Sequence, residues 1–204
     1  MKYEWRKMDK AFYGAKEQPS EIMVPKQSFI TIAGKGNPNN DDFAQRVGVL
    51  YSLAYQVKAL YKKEPERYGS SEYQDYTVFP LEGIWTSTSS NPLEKDCFSY
   101  TIMIKQPDVI TRQLFETAYE MVQKKKPHPL LKEAAFRTIE DGKCIQILHK
   151  GSFDDEPRSF DEMDRFAAAN GLERLNHYHR EIYLTDARKT SPEKRKTILR
   201  YQVK

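Results

Sequence analysis

Cysteine is scarce: Cys97 and Cys144 are the only two thiols in 204 residues, and they stand far apart. No CxxC pair occurs, which argues against a zinc site, a dithiol redox site and a disulfide framework. Two isolated thiols suit a reducing compartment. Long apolar runs are missing too: none approaches the roughly 18 residues of a membrane span. The start, Met-Lys-Tyr-Glu-Trp, has no apolar stretch of the kind an export signal needs. The expectation is a cytoplasmic protein with no membrane partner. An excess of one charge is also absent, since 33 basic residues face 29 acidic ones for a net +4. Direct binding to nucleic acid would call for a clustered basic face instead. Glycine-rich phosphate loops are lacking, because Gly34-Lys35-Gly36 has neither the third glycine nor the later acidic residue of a dinucleotide site. No GxSxG, Walker, HExxH or kinase signature occurs, so no cofactor is expected.

What the chain does have is rings. It carries 13 Tyr, 10 Phe and 2 Trp, 12% of all residues, more than a small core needs, so some are free to line a pocket. Its length suits one domain, or two fused half-sized units sharing a core.

Residues 1–26 are polar and punctuated by Pro19 and Pro25. They read as an arm over the domain, anchored by Tyr13, Met23 and Val24. Residues 27–34 alternate like a strand. From Asp41 to about Lys63, Phe43, Val47, Leu50, Ala54 and Val57 recur at helical spacing, with Tyr51, Tyr55 and Tyr61 along one flank. The stretch from Pro65 to Ser71 reads as a loop. Residues 75–86 read as a strand interrupted near Pro80 and Gly83, and 97–105 as its partner. A helix is expected from about Thr111 to Lys125, stopped by Pro127 and Pro129. Residues 135–151 carry a hairpin signature turning at Asp141-Gly142. A helix follows from about Ser159 to Asn170, then strands over 177–185 and 197–203, with a helical turn at Ser191-Pro192 between them.

The chain also resembles itself. Ile30-Thr31-Ile32 matches Ile145-Gln146-Ile147 at an offset of 115, and Glu82-Gly83-Ile84-Trp85-Thr86 matches Glu181-Ile182-Tyr183-Leu184-Thr185 at an offset of 99. The closing strands of the two halves also match at 99. The fold expected is α+β: two βαββ halves, about 27–106 and 134–204, joined by a helix over about 111–126. A pseudo-two-fold axis would relate them, with a ligand cleft between. The alternative is that any two βαββ segments look alike.

Glu181 stands out, a carboxylate inside a strand flanked by Ile182-Tyr183-Leu184. Burying it costs several kcal/mol unless it is paired, hydrogen-bonded or protonated. Alternation places His179, Glu181 and Tyr183 on one face. The plain alternative is a salt bridge to Arg180, Arg200 or another base. His177, His179 and Glu181 resemble a two-histidine, one-carboxylate metal set, but residues two apart on a strand sit too widely to share an ion easily, so no metal is expected. His128 and His149 read as structural. In the first half Trp85 and Glu82 form the counterpart of Glu181, Trp85 being suited to stacking on a flat ligand or to the core. Gly83 between them marks a bulge or a close backbone approach. Tyr51 and Tyr55 are read either as core or as ligand contacts.

Four stretches, ITIAGKGNPN, PLEGIWT, CIQILHKGSFDDEPRSFDEM and REIYLTDARKTSPEKRKTILRYQV, together resemble the GyrI-like small-molecule-binding proteins over nearly the whole length. The resemblance implies a cleft between two βαββ halves that takes planar aromatic or cationic molecules, with Glu181 facing the ligand. It implies a stand-alone member without a helix-turn-helix. The GKGNPN and EGIWT patterns are similar to a subgroup of cyclopropanoid hydrolases, which detoxify DNA-alkylating compounds by opening a strained ring with water. By that likeness Glu181 would be the base for water, Tyr183 or Tyr55 would steady the developing phenolate, and Trp85 would hold the flat ligand. Sequestration of such molecules without reaction is the competing reading, and inhibition of a partner protein a third. The sequence sets no oligomeric state.

Overall fold

The computed structural model describes residues 2–68, 74–91 and 94–204. The part of the Pro65–Ser71 loop from 69 onward lies outside these. Eight strands form one antiparallel sheet: β1 (Ser20–Val24), β2 (Gln27–Lys35), β3 (Leu81–Ser87), β4 (Phe98–Gln106), β5 (Ala134–Ile139), β6 (Gly142–Lys150), β7 (His179–Tyr183) and β8 (Lys196–Gln202). Across the sheet they run β1-β6-β8-β7-β3-β4-β2-β5. Five helices accompany them: α1 (Trp5–Met8), α2 (Lys10–Tyr13), α3 (Asp41–Lys63), α4 (Arg112–Lys125) and α5 (Glu156–Ala169). The chain is α+β. Read from either edge towards the central β7–β3 pair, the sheet repeats one order, β1-β6-β8-β7 on one side and β5-β2-β4-β3 on the other. That is the arrangement a doubled βαββ unit would give.

Local chemistry sets the helices. Asp41 and Asp42 open α3, and Lys62 and Lys63 close it, each complementing the helix dipole. The Thr111 hydroxyl caps α4 by accepting from the Leu114 amide at 3.2 Å. Helix α3 buries Leu50, Leu53, Ala54 and Val57 in a core with Ile30, Ile32, Ile102 and Ile104 of β2 and β4. A smaller core joins Met163 and Ala167 of α5 to Ile145, Ile147, Leu199 and Tyr201 of β6 and β8. The two long βαββ helices therefore cover the same face of the sheet, one in each half.

Several expectations need correcting. Strands β5 and β6 do not form a hairpin at Asp141-Gly142. Gly142 does take the left-handed conformation, with φ +67, yet there the chain bends instead of doubling back. Val24 stands opposite Gly142, and Gln27 opposite Ile139, so β1–β2 and β5–β6 run as one kinked ribbon across the break. The first 26 residues are more than an arm: they supply α1, α2 and edge strand β1. Tyr13 and Val24 are buried as anchors, but Met23 is exposed, because alternation along β1 turns it outward. Strand β3 begins only at Leu81, after Pro80, and Gly83 keeps full register without a bulge. Helix α5 starts at Glu156, three residues early, since Pro157 is accommodated in the first turn.

Candidate functional site

A cavity of about 910 Å³ opens on the helix-bearing face. Its floor is the β3–β7 pair, where the two half-sheets meet. Helix α3 lends Phe43, Val47, Tyr51 and Tyr55 to one wall, and α5 lends Glu156 and Phe160 to the other. Trp5 and Arg6 of α1, Phe98 and Phe153 also line it. The surplus of rings noted in the sequence is spent here.

The register of the floor decides which side chains reach the cavity. Gly83 stands directly opposite Glu181, and Trp85 opposite His179. Leu81 and Trp85 share the cavity side with His179, Glu181 and Tyr183. Glu82 therefore points to the other face and is not the counterpart of Glu181. An offset of 99 pairs residues on opposite faces, and a slip of one residue turns every side chain over. Matching Gly83 to Glu181, an offset of 98, keeps the faces consistent. Gly83 is needed for a steric reason: a Cβ there would lie 2.4 Å from the indole nitrogen of Trp85. The glycine lets the ring fold back over the strand.

Glu82 instead belongs to a buried polar layer beneath the floor. It accepts from the Tyr13 hydroxyl at 2.9 Å and pairs with Arg180 at 3.5 Å. Arg180 also reaches Asp141 at 3.1 Å, and Arg200 donates to Gln146 and to the Phe12 carbonyl, each at 2.8 Å. Neither arginine pairs with Glu181; of the bases that could, His179 lies within ion-pair distance, its Nε2 2.9 Å from Glu181 Oε1.

Around Glu181 the polar groups converge. His179 Nε2 lies 2.9 Å from Glu181 Oε1. The Tyr183 hydroxyl lies beside the Glu181 carboxylate and accepts from Trp85 Nε1 at 2.8 Å. Burial first, then the Glu181 carboxylate, pushes the Tyr183 phenol well above its ordinary value, so it stays a donor. The residue that sequence reasoning missed is Glu156. It is buried, its carboxyl approaches that of Glu181 to within 4.8 Å, and its Oε1 has no partner among the described residues. Burial, and then the negative charge of Glu181, holds its carboxyl well above the usual range. Its signal is the Glu156-Pro157 pair just ahead of the helix expected from Ser159, since proline suits a first helical turn.

Glu156, His179 and Glu181 bring one donor atom each within 4.8 Å of one another. Side-chain reach thus closes the gap that strand spacing had set between His179 and Glu181. His177 lines the cavity but is no member of the cluster. A metal-bound histidine normally donates its other ring nitrogen to a carboxylate or carbonyl. The His179 ring instead packs edge-on against Phe160, with centroids 4.7 Å apart, so the set fits proton chemistry better than a cation.

Trp85 is 5% exposed and packed by Phe43, Phe98 and Tyr100, as its core reading expects, and it also lines the cavity. Tyr51 and Tyr55 stack at 6.2 Å on the α3 wall, with Tyr55 exposed. Cations line other parts of the wall. Arg188 pairs with Asp186 at 2.9 Å, Lys95 with Asp154 at 2.7 Å, and Arg195 lies over the Phe153 ring.

A ring-lined chamber, floored by two symmetrically placed half-sheets and holding an acid at their junction, defines a small-molecule-binding α+β protein. A family model for the GyrI-like small molecule binding domain matches residues 17–204, and the chain belongs to that family. It is similar to a conserved uncharacterized protein of Listeria innocua, with 37% identity over the full length of both chains and a TM-score of 0.90. Two proteins described as hydrolases from the same organism are 34% and 35% identical, also over both full lengths, with TM-scores of 0.89 and 0.86. No protein of curated function is similar enough to count as a match. Among the described residues no helix is long and apolar enough to cross a membrane.

Proposed function

We propose that the protein is a detoxifying hydrolase that adds water to the cyclopropane ring of flat, electrophilic, DNA-alkylating molecules. One observation carries this reading: the Glu181 carboxylate lies on the floor of an aromatic chamber with its surrounding donors already in place. A carboxylate offers about four lone-pair sites. With His179, Tyr183 and Glu156 about it, at least one is left for a water molecule. The two similar Listeria proteins described as hydrolases support a hydrolytic activity; the cyclopropanoid substrate rests on the motif likeness and the chemistry below.

In a cyclopropane conjugated to a dienone, the water oxygen bonds to the ring methylene as the adjacent carbon–carbon bond breaks. The released electron pair flows into the ring system and leaves a phenolate. Glu181 takes the water proton as general base, passes it to solvent, and solvent protonates the phenolate. Tyr183 is held between Glu181 and Trp85, so its part is to orient the base. The far oxygen of a flat guest lies towards the α3 wall, where Tyr55 is the donor for the developing charge. Trp85 and Phe43 hold the guest in attack geometry.

Incubation with a spirocyclopropyl dienone, followed by mass spectrometry, tests the reaction. Wild type yields a product heavier by one water, and Glu181→Gln lowers the rate by about 10²–10⁴-fold. If both proteins bind the compound and leave it intact, the family's binding role stands alone and the function is sequestration.

A further inference from the structure

We propose that Glu156 and Glu181 form a one-proton carboxyl dyad in which Glu156 carries the proton and donates it to Glu181, keeping Glu181 ionised and oriented as the base. Geometry supports the assignment. The two carboxyls arrive from different elements, the first turn of α5 and the middle of β7, and bring an oxygen each within 4.8 Å of the other at the cavity floor. Both are buried, at 7% and 8% exposure. Like charges this close cannot both persist in a low-dielectric site, so one carboxyl keeps its proton.

The neighbours decide which. Glu181 lies beside the Tyr183 hydroxyl and has His179 Nε2 2.9 Å from its Oε1, two groups able to donate to a carboxylate. Glu156 has one oxygen without a partner. The charged groups about it are Glu181 and Asp154, which oppose its ionisation, and Lys95, which favours it. Lys95 is already paired with Asp154 at 2.7 Å. His179 completes the cluster, and Asp155 precedes Glu156 in the chain. Arg195 lines the cavity but lies over the Phe153 ring. The proton therefore sits on Glu156. Because Glu156 acts through Glu181, it is a positioning residue.

The catalytic consequence rests on the hydrolase reading above, but the dyad itself does not, so the test begins without substrate. The full chain, labelled with ¹³C at the glutamate carboxyls, is titrated by NMR. Glu156→Gln and Glu181→Gln assign the two signals, and Glu156→Asp serves if the glutamine variant does not fold. The expected result is one carboxyl still protonated at pH 7, lost in Glu156→Gln, and a Glu181 signal whose titration moves by at least one pH unit in that variant. The proposal is overturned if Glu156 is ionised at pH 7, if the Glu181 titration is unmoved, or if the purified protein holds a stoichiometric metal at these residues. With a hydrolysable compound, Glu156→Gln is expected to shift the pH profile of kcat/KM by at least one unit while KM changes less than about threefold. A protonated Glu156 in a protein that hydrolyses nothing would retain the dyad and remove only the hydrolase reading.

Discussion

At the scale of single residues, the site is a chain of donors ending on one acid. Trp85 donates to Tyr183, whose hydroxyl lies beside Glu181, and Glu156 and His179 complete the ring around that carboxylate. Such a carboxyl leaves a signature in stability. Burial raises the Glu156 value in the folded state, so the folded protein binds this proton more tightly than the unfolded chain does. Its stabilising contribution is complete below the ordinary carboxylate range and declines as pH rises towards the raised value. Glu156→Gln removes that decline. Its melting temperature should therefore gain on wild type as pH is raised from 4 through neutrality, by about 3 °C for each pH unit, read from thermal melts across buffers. A parallel pair of curves would mean that Glu156 is not protonated in the fold.

The acid was legible in the sequence, because Glu181 interrupts an otherwise buried strand and alternation brings His179 and Tyr183 to its side. Its partner was not. Glu156 lies in sequence among charged residues, Asp154, Asp155 and Arg158, and its burial exists only once α5 packs on β6. Glu82 misled for the converse reason. It is buried, but a single step along the strand decides the face, and sequence similarity alone does not fix that step.

At the scale of elements, the β3–β7 ladder joins the two halves, and the layer beneath it is ionic. Arg180 bridges Glu82 of β3 and Asp141 of the β5–β6 link. Arg180 and Glu82 are buried and Asp141 is partly buried, so removing the cation leaves two acids without their ion pair. Arg180→Met is expected to cost about 3–5 kcal/mol in denaturant unfolding. Adding Glu82→Gln should restore part of that loss. If Arg180→Met costs less than 1 kcal/mol, the layer contributes little to joining the halves. The elements themselves were largely readable from spacing: α3, α4 and the strands of β2 and β4 lie within a residue or two of expectation. The β5–β6 hairpin was misread because a glycine in left-handed geometry marks a change of direction without saying how large it is.

At the scale of the molecule, residues 2–16 lie outside the stretch matched by the family model, yet they close the structure. Trp5 and Tyr13 are buried against Phe79, Arg6 donates to the Leu184 carbonyl at 2.9 Å, and the Phe12 carbonyl receives Arg200. Deleting them would uncover the ionic layer and remove Trp5 from the chamber wall. The expected cost exceeds about 4 kcal/mol, measured as a lowered denaturation midpoint. A deletion variant of unchanged midpoint would make the segment an ornament. Sequence reading treated it as a loose arm because its helices are four residues each, too short to show a period.

The kinked ribbon has one more consequence. The polypeptide passes between the halves at 25–26 and again at 140–141, side by side, while the floor of the chamber is itself a hydrogen-bonded ladder from Glu82 to Trp85. Two such fastenings leave no free axis on which the lobes could swing apart like jaws. Guests must enter and leave by the swivelling of rim side chains, with exposed Tyr55 as the gatepost. Exchange speed should then follow the bulk of that rim and be indifferent to anything that stiffens the backbone.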